Sequence, residues 1–132
     1  LWVVWGLVHL LAGILVVPAD SATAIGNIAD AVDKATLKGP YPPALGGILS
    51  QHGWNLGWFG VSTIVGGVLV WRGNRTAIWF SALVGGLADL GYFMFLDLPG
   101  HVNFMPGTVM TLVSGSAIVL SAWAWRAQPA PA

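Results

Sequence analysis

The stretch ALGGILSQHGWNLGWFGVSTIVGGVLVWRGNRTAIWFSALVGGLADLGYFMFL, Ala44–Leu96, decides how this chain folds. It holds two apolar runs, about 44–71 and 76–96, parted only by Arg72-Gly73-Asn74-Arg75. Each run reaches the roughly 20 residues that a membrane helix needs. A link that short makes the two helices antiparallel neighbours. Both runs carry an ionisable side chain, His52 in one and Asp89 in the other. Such a group is expensive in lipid unless it has partners or a task.

Two further apolar runs flank this core. The first, about 1–17, ends at Pro18, and the last, about 106–125, starts with Pro106, a residue suited to a first helical turn. Of the 132 residues, 56% are hydrophobic and only 8% charged, with a mean hydropathy of +0.76. A soluble domain carries about 25% charged residues. No linker separates two units. The expected fold is therefore all-α, a single transmembrane domain over 1–132. It is an antiparallel four-helix bundle with a short tail at 126–132. Residue 1 is Leu rather than Met, so the chain is expected to start upstream of it. The first run lacks the small-residue cleavage site of a signal peptide and reads as a retained helix.

Composition removes several function classes. A formal charge of zero offers no electrostatic route to nucleic acid. The absence of cysteine excludes disulfides, thiolate zinc sites, iron–sulfur clusters and thiol redox chemistry. Arg72, Arg75 and Arg126 fall on one side, which the positive-inside rule makes cytoplasmic. Lys34 and Lys38 stand on the other side among Asp20, Asp30 and Asp33. The expected location is a bacterial inner membrane with both termini cytoplasmic. Trp2, Trp5, Trp71, Trp79, Trp123 and Trp125 all lie near the inner ends and read as an interfacial belt. Between the first two spans, Ile25, Ile28, Ala29 and Val32 recur at helical spacing, and Asp30 and Lys34 form an i,i+4 pair. This predicts a short amphipathic helix on the outer surface.

His9, His52 and Asp89 stand at similar distances from Pro18, Pro43 and Pro99. At about 1.5 Å per residue all three lie roughly 13–15 Å below the outer face. Each belongs to a stripe of small or polar residues. The stripes are Gly6, His9 and Gly13; His52, Asn55, Phe59, Ser62 and Gly66; Ser81, Gly85, Asp89 and Tyr92; and Gly107, Thr111, Ser114 and Ser121. Small residues admit close helix contact, and polar ones avoid lipid by turning inward. The stripes predict a pocket in the outer half. Gln51, Trp54, Trp58 and Tyr92 would surround it, Ser114 and Ser116 would reach its level, and the loop Asp97–Pro106 would be its lid.

Three chemistries suit that set. His9, His52 and Asp89 are ligand types for Zn²⁺, Fe²⁺ or Cu²⁺. One histidine can instead be an axial haem ligand, leaving Asp89, Asn55 and Tyr92 for a substrate. A buried carboxyl and imidazole can also move a proton without any metal.

The segments Gln51-His52-Gly53-Trp54-Asn55 and Ala88-Asp89-Leu90-Gly91-Tyr92-Phe93-Met94-Phe95 resemble styrene oxide isomerase, a family of small four-span membrane enzymes. The resemblance covers the two central spans. It implies haem b on His52, an iron acting as Lewis acid on an epoxide oxygen, and a trimer. It also implies that Asn55, Asp89 and Tyr92 orient that oxygen and stabilise developing positive charge. Two other functions fit the same sequence. One is a non-catalytic membrane subunit, or a lipid- or quinone-binding protein. The other is a small oligomeric transporter or proton relay centred on Asp89. The partners expected are membrane lipid, a small apolar ligand and further copies of the chain.

Overall fold

The computed structural model describes residues 1–127, and these are helical with no strand among them. The elements are α1 (Trp2–Val16), α2 (Ser21–Ile28), α3 (Pro43–Trp71), α4 (Arg75–Asp97) and α5 (Val109–Ala127). Single turns at Lys34–Thr36 and Phe104–Gly107 punctuate the loops. Three helices, α3, α4 and α5, are long and apolar enough to cross a membrane. The apolar α1 has 15 residues. Gln128–Ala132, most of the expected tail, lies outside the described residues.

Helix directions follow from which residues meet. Gly13 lies on Gly53 and Gly57, Gly6 on Gly60, and Trp2 and Val3 on Gly67, so α1 and α3 run antiparallel. At the end of α3, Gly73 takes φ +82°, a left-handed value that glycine adopts without strain, and turns the chain into α4. The side chain of Asn74 then caps α4 by accepting from the Ala77 amide at 3.1 Å. Gly86 meets Ile118 near mid-helix, and the Trp79 and Trp125 rings stack edge to face, so α5 returns antiparallel to α4.

The buried face of α3 is Gly53, Leu56, Gly60, Thr63 and Gly66. That is the expected stripe displaced by one residue at all but the last position. The cause is close backbone contact. A Cβ on Gly60 would stand 2.5 Å from the Gly6 carbonyl oxygen, and one on Gly13 would stand 2.6 Å from the Gly53 carbonyl oxygen. Only glycine allows this approach, and it outweighs the pull of polar side chains on helix rotation.

Two wide, five-residue turns of π type interrupt α4 at Ala82–Gly86 and Phe93–Asp97. The regular segment between them, Leu87–Tyr92, carries both Asp89 and Tyr92. Such turns widen the helix by one residue and re-aim the residues beyond them.

Three expectations need correction. Trp2 and Trp5 are core residues, at 3% and 0% exposure, because their N–H groups have buried acceptors inside the protein. Trp71, Trp79 and Trp123, by contrast, are largely exposed, as a belt requires. The helix in the first loop stops at Ile28, so Asp30 and Lys34 do not share it. It also packs inward: Ala24 and the following Ala29 and Ala31 are buried, and Asn27 donates to the Leu15 carbonyl at 3.5 Å, while Ser50 of α3 donates to the Val17 carbonyl at 3.0 Å. These bonds satisfy free carbonyls at the end of α1. The last helix begins at Val109, because non-helical Met105 sets Pro106 in a separate turn.

The glycine contact can be tested directly. Gly60→Leu should destabilise the protein by about 1–3 kcal/mol by forcing α1 from α3. Gly57→Ala, whose Cβ would meet nothing within 4 Å, should not destabilise it. Equilibrium unfolding in mixed micelles measures both. A second test concerns the cap of α2, where Asp20 accepts from the Thr23 hydroxyl at 2.7 Å and from the Ala22 and Thr23 amides. The Thr23 hydroxyl bond, chief among these, holds the Asp20 carboxyl below its ordinary value of 3.8. A depressed folded value means the cap contributes fully above that ordinary value and is lost as pH falls through the folded one. Asp20→Asn, which caps without titrating, should lack this acid step when the Ala22 and Thr23 amide signals are followed by NMR.

Candidate functional site

The floor of the site is a carboxyl held by an indole. Asp89 is 4% exposed, and its Oδ2 accepts from Trp5 Nε1 at 2.7 Å. An unpaired carboxyl at this position would be strongly unfavourable, and a donor from another helix answers that need. Ser114 faces the same carboxyl from α5, and its hydroxyl donates to the Thr111 carbonyl at 3.1 Å.

His9 completes the floor. It lies one turn beyond Trp5 on α1, and the two rings stack with centroids 3.5 Å apart and planes at 15°. Its Nδ1 is 2.9 Å from the Trp5 carbonyl oxygen, which can only accept, so Nδ1 carries a proton. Its Nε2 then faces Asp89 Oδ1 at 3.8 Å. This exceeds a direct hydrogen bond but is a gap that one small polar group can bridge. Two bare lone pairs facing each other would repel, so the pair is best satisfied when it holds one proton between Nε2 and Oδ1.

Above this floor opens a wedge of about 660 Å³, in the size range of small-molecule pockets. One wall is Val8 and Ala12 with His52 and Leu56; the other is Ala88, Gly91, Tyr92, Phe95 and Leu96. Val109, Met110 and Thr111 of α5 close its back. The Tyr92 hydroxyl is buried and has no hydrogen-bond partner, although it lies against Gly107 and Ala31. Phenol donors in protein interiors are normally paired, so this unpaired one among the described residues is an exception.

The sequence-derived residues thus separate. His9, Asp89, His52 and Tyr92 all line the wedge. Asn55 does not: its Oδ1 accepts from Trp58 Nε1 at 3.2 Å on the outer side of α3. The one-residue rotation of α3 explains this, because it presents His52 and Leu56 to the wedge and turns Asn55 aside. Gln51, Trp54, Trp58 and Ser116 are exposed outside it. Among the described residues no three His or Asp side chains converge as a metal-ligand group. His52 stands on the half of α3 that leans away from α4, across the wedge from Asp89, so the expected His9–His52–Asp89 ligand set is not assembled.

The lid also differs from expectation. Asn27, Ile28 and Asp30 from the first loop cover the wedge together with Pro106 and Gly107. The segment Asp97–Asn103 acts indirectly. The Asn103 amide donates to the Ala31 carbonyl at 2.9 Å, and Thr108 Oγ1 donates to Asp97 Oδ1 at 3.1 Å. Asn27, Asp30 and Thr108 escaped the sequence reading because loop polarity alone does not tell a lid from a solvated turn. Trp5 was legible in principle, since it stands four residues before His9 on the same helix face.

The Trp5–Asp89 bond should have a measurable worth. Trp5→Phe keeps an aromatic ring but removes the donor and opens a small cavity, which together should destabilise the protein by about 2–5 kcal/mol. The double change Trp5→Phe with Asp89→Leu should recover part of that loss in the same unfolding measurement, because no buried acceptor is then left unpaired. Compared with protein-family models, curated proteins and solved structures, the chain matches none.

Proposed function

We propose that this chain is an integral-membrane four-helix bundle that works as an isomerase of small, epoxide-like apolar substrates, as the resemblance of its two central spans implies. The observation carrying this reading is the His9–Asp89 pair, held 3.8 Å apart on the floor of an otherwise largely apolar wedge. Three helices long and apolar enough to cross a membrane, and exposed Trp71, Trp79 and Trp123 at one end, support the membrane setting. Trp2 bonded to Ser121 at 3.2 Å keeps both ends of the described chain on the Arg72–Arg75 side, which the positive-inside rule makes cytoplasmic. A homotrimer in a bacterial inner membrane completes the reading.

The residues have distinct tasks. Trp5 fixes the Asp89 carboxylate. The Trp5 carbonyl fixes the His9 tautomer, so that Nε2 faces the wedge and the pair can give and take back one proton there. Tyr92 offers its unpartnered hydroxyl to a substrate oxygen, and the apolar walls keep water from the opened intermediate. Asn55 acts in this reading only through Trp58 and the backbone beside His52. The donor set fits a haem better than a three-ligand metal site: among the described residues no three His or Asp side chains group as metal ligands, and apolar side chains flank His52 on the wedge side. Haem b held by His52 would supply Lewis acidity toward the substrate oxygen.

A second reading, a non-catalytic or quinone-binding subunit, draws on the same Trp5–Asp89 bond as a lock between helices. One variant separates the two. Asp89→Asn still accepts from Trp5 Nε1, so the fold should survive, but it holds no transferable proton. The isomerase reading predicts that aldehyde formation from styrene oxide falls about 10²–10⁴-fold in Asp89→Asn. It also predicts a Soret band in the purified protein that His52→Ala abolishes. A colourless wild type that leaves the epoxide unchanged overturns it.

A further inference from the structure

Side chains cross the wedge at both ends. Its floor is Trp5, His9 and Asp89, and Trp2 is bonded to Ser121 at the level beneath. Its outer end lies under Asn27, Ile28 and Asp30. The Asn103–Ala31 backbone bond and the contact of Gly107 with Ala31 and Tyr92 strap that cap to the α5 side.

The flank between α3 and α4 is different. α3 packs on the first half of α4, Arg75–Gly86, and draws away from the second half. The wedge-lining residues on that flank are His52 and Leu56 across from Gly91 and Phe95. Phe95 is 70% exposed and His52 is exposed as well. A Cβ added to Gly91 would meet nothing within 4 Å, so the mouth beside it is open space. Among the described residues no Lys or Arg lines the wedge. An anion would therefore lose its hydration there with little return, and of the two lining carboxylates Asp89 is already engaged by Trp5 and His9 while Asp30 stands at the exposed outer rim, so the interior favours an uncharged, largely apolar ligand.

We propose that the wedge is loaded sideways, between α3 and α4, by an uncharged lipophile dissolved in the bilayer that carries one hydrogen-bonding group. That group goes in first, toward His9 and Asp89, and the apolar remainder lies between Leu56 and Phe95. Gly91 is the sill of this opening, and its lack of a side chain sets how bulky a ligand can pass. The cap of α2 and the Asn103 strap keep the same site closed to water. The proposal rests on the membrane setting given under Proposed function, but not on the haem or the isomerase chemistry.

Photolabelling of the full chain in lipid nanodiscs tests it. The probes are an octanol bearing a diazirine and its sulfonated, water-confined counterpart, with adducts mapped by mass spectrometry. The lipid-borne probe should label Leu56, Ala88 and Met110 inside the wedge as well as Leu11 and Ile14 on the outer face of α1. The water-borne probe should label none of these. Gly91→Trp should remove wedge labelling and leave Leu11 and Ile14 labelled, and Phe95→Ala should raise wedge labelling. Gly91→Leu serves in place of Gly91→Trp should the larger side chain prevent folding. Labelling of the wedge from water overturns the proposal, as does wedge labelling unchanged by filling position 91. Adducts at Leu11 and Ile14 without adducts in the wedge overturn the sideways route while the membrane setting stands. Absence of lipid-borne adducts at all five positions overturns both.

Discussion

The backbone of α1 rests on the backbone of α3, and most of the site depends on that contact. Gly6, Gly13, Gly53 and Gly60 bring the two helices so close that no side chain fits between them. Glycine contacts of this kind let two apolar helices associate through close backbone packing. The contact fixes the rotation of α3. With that rotation, His52 and Leu56 look into the wedge, and Asn55 is left to Trp58. It also sets the rotation of α1, which sends Trp5 and His9 across to Asp89 on α4.

The buried carboxyl is the second organising element. Trp5 gives it a short hydrogen bond and gives His9 both a stacking surface and a carbonyl acceptor. One indole thus holds both members of the pair. Packing and chemistry are fused here: the residue that keeps a carboxyl tolerable inside the helices is also the one that aims the imidazole. The wedge exists because the two hairpins, α1 with α3 and α4 with α5, meet tightly near the Arg72–Arg75 turn and diverge toward the cap.

Much of this was legible in the sequence. Run lengths and the Arg72-Gly73-Asn74-Arg75 link told of long antiparallel helices, and burial cost singled out His9, His52 and Asp89. Tyr92 followed from its place three residues after Asp89. The features that stayed hidden have physical causes. The polar residues of α3 suggest one rotation, yet glycine contacts decide it, and those involve two helices at once. Trp2 and Trp5 looked like interfacial anchors because an indole suits a headgroup region as well as a buried acceptor. The inward fold of α2 involves a hydrogen bond from Asn27 to the Leu15 carbonyl at the end of α1, which no local pattern reveals. The early end of that helix likewise separates Asp30 from Lys34.

The two wide turns of α4 make Leu87–Tyr92 a separately phased cassette. Each turn stores one residue more than a plain α-helix would need over the same rise. Asp89 and Tyr92 therefore owe their bearing to the turns on either side and not to the direction in which α4 sets out from Asn74. The helix acts as a vernier, in which inserting or removing a single residue steps the cassette by about 100° while the ends of the helix keep their places. Chains built on this plan can re-aim the floor of the site by changes of length alone, without replacing any residue that lines it.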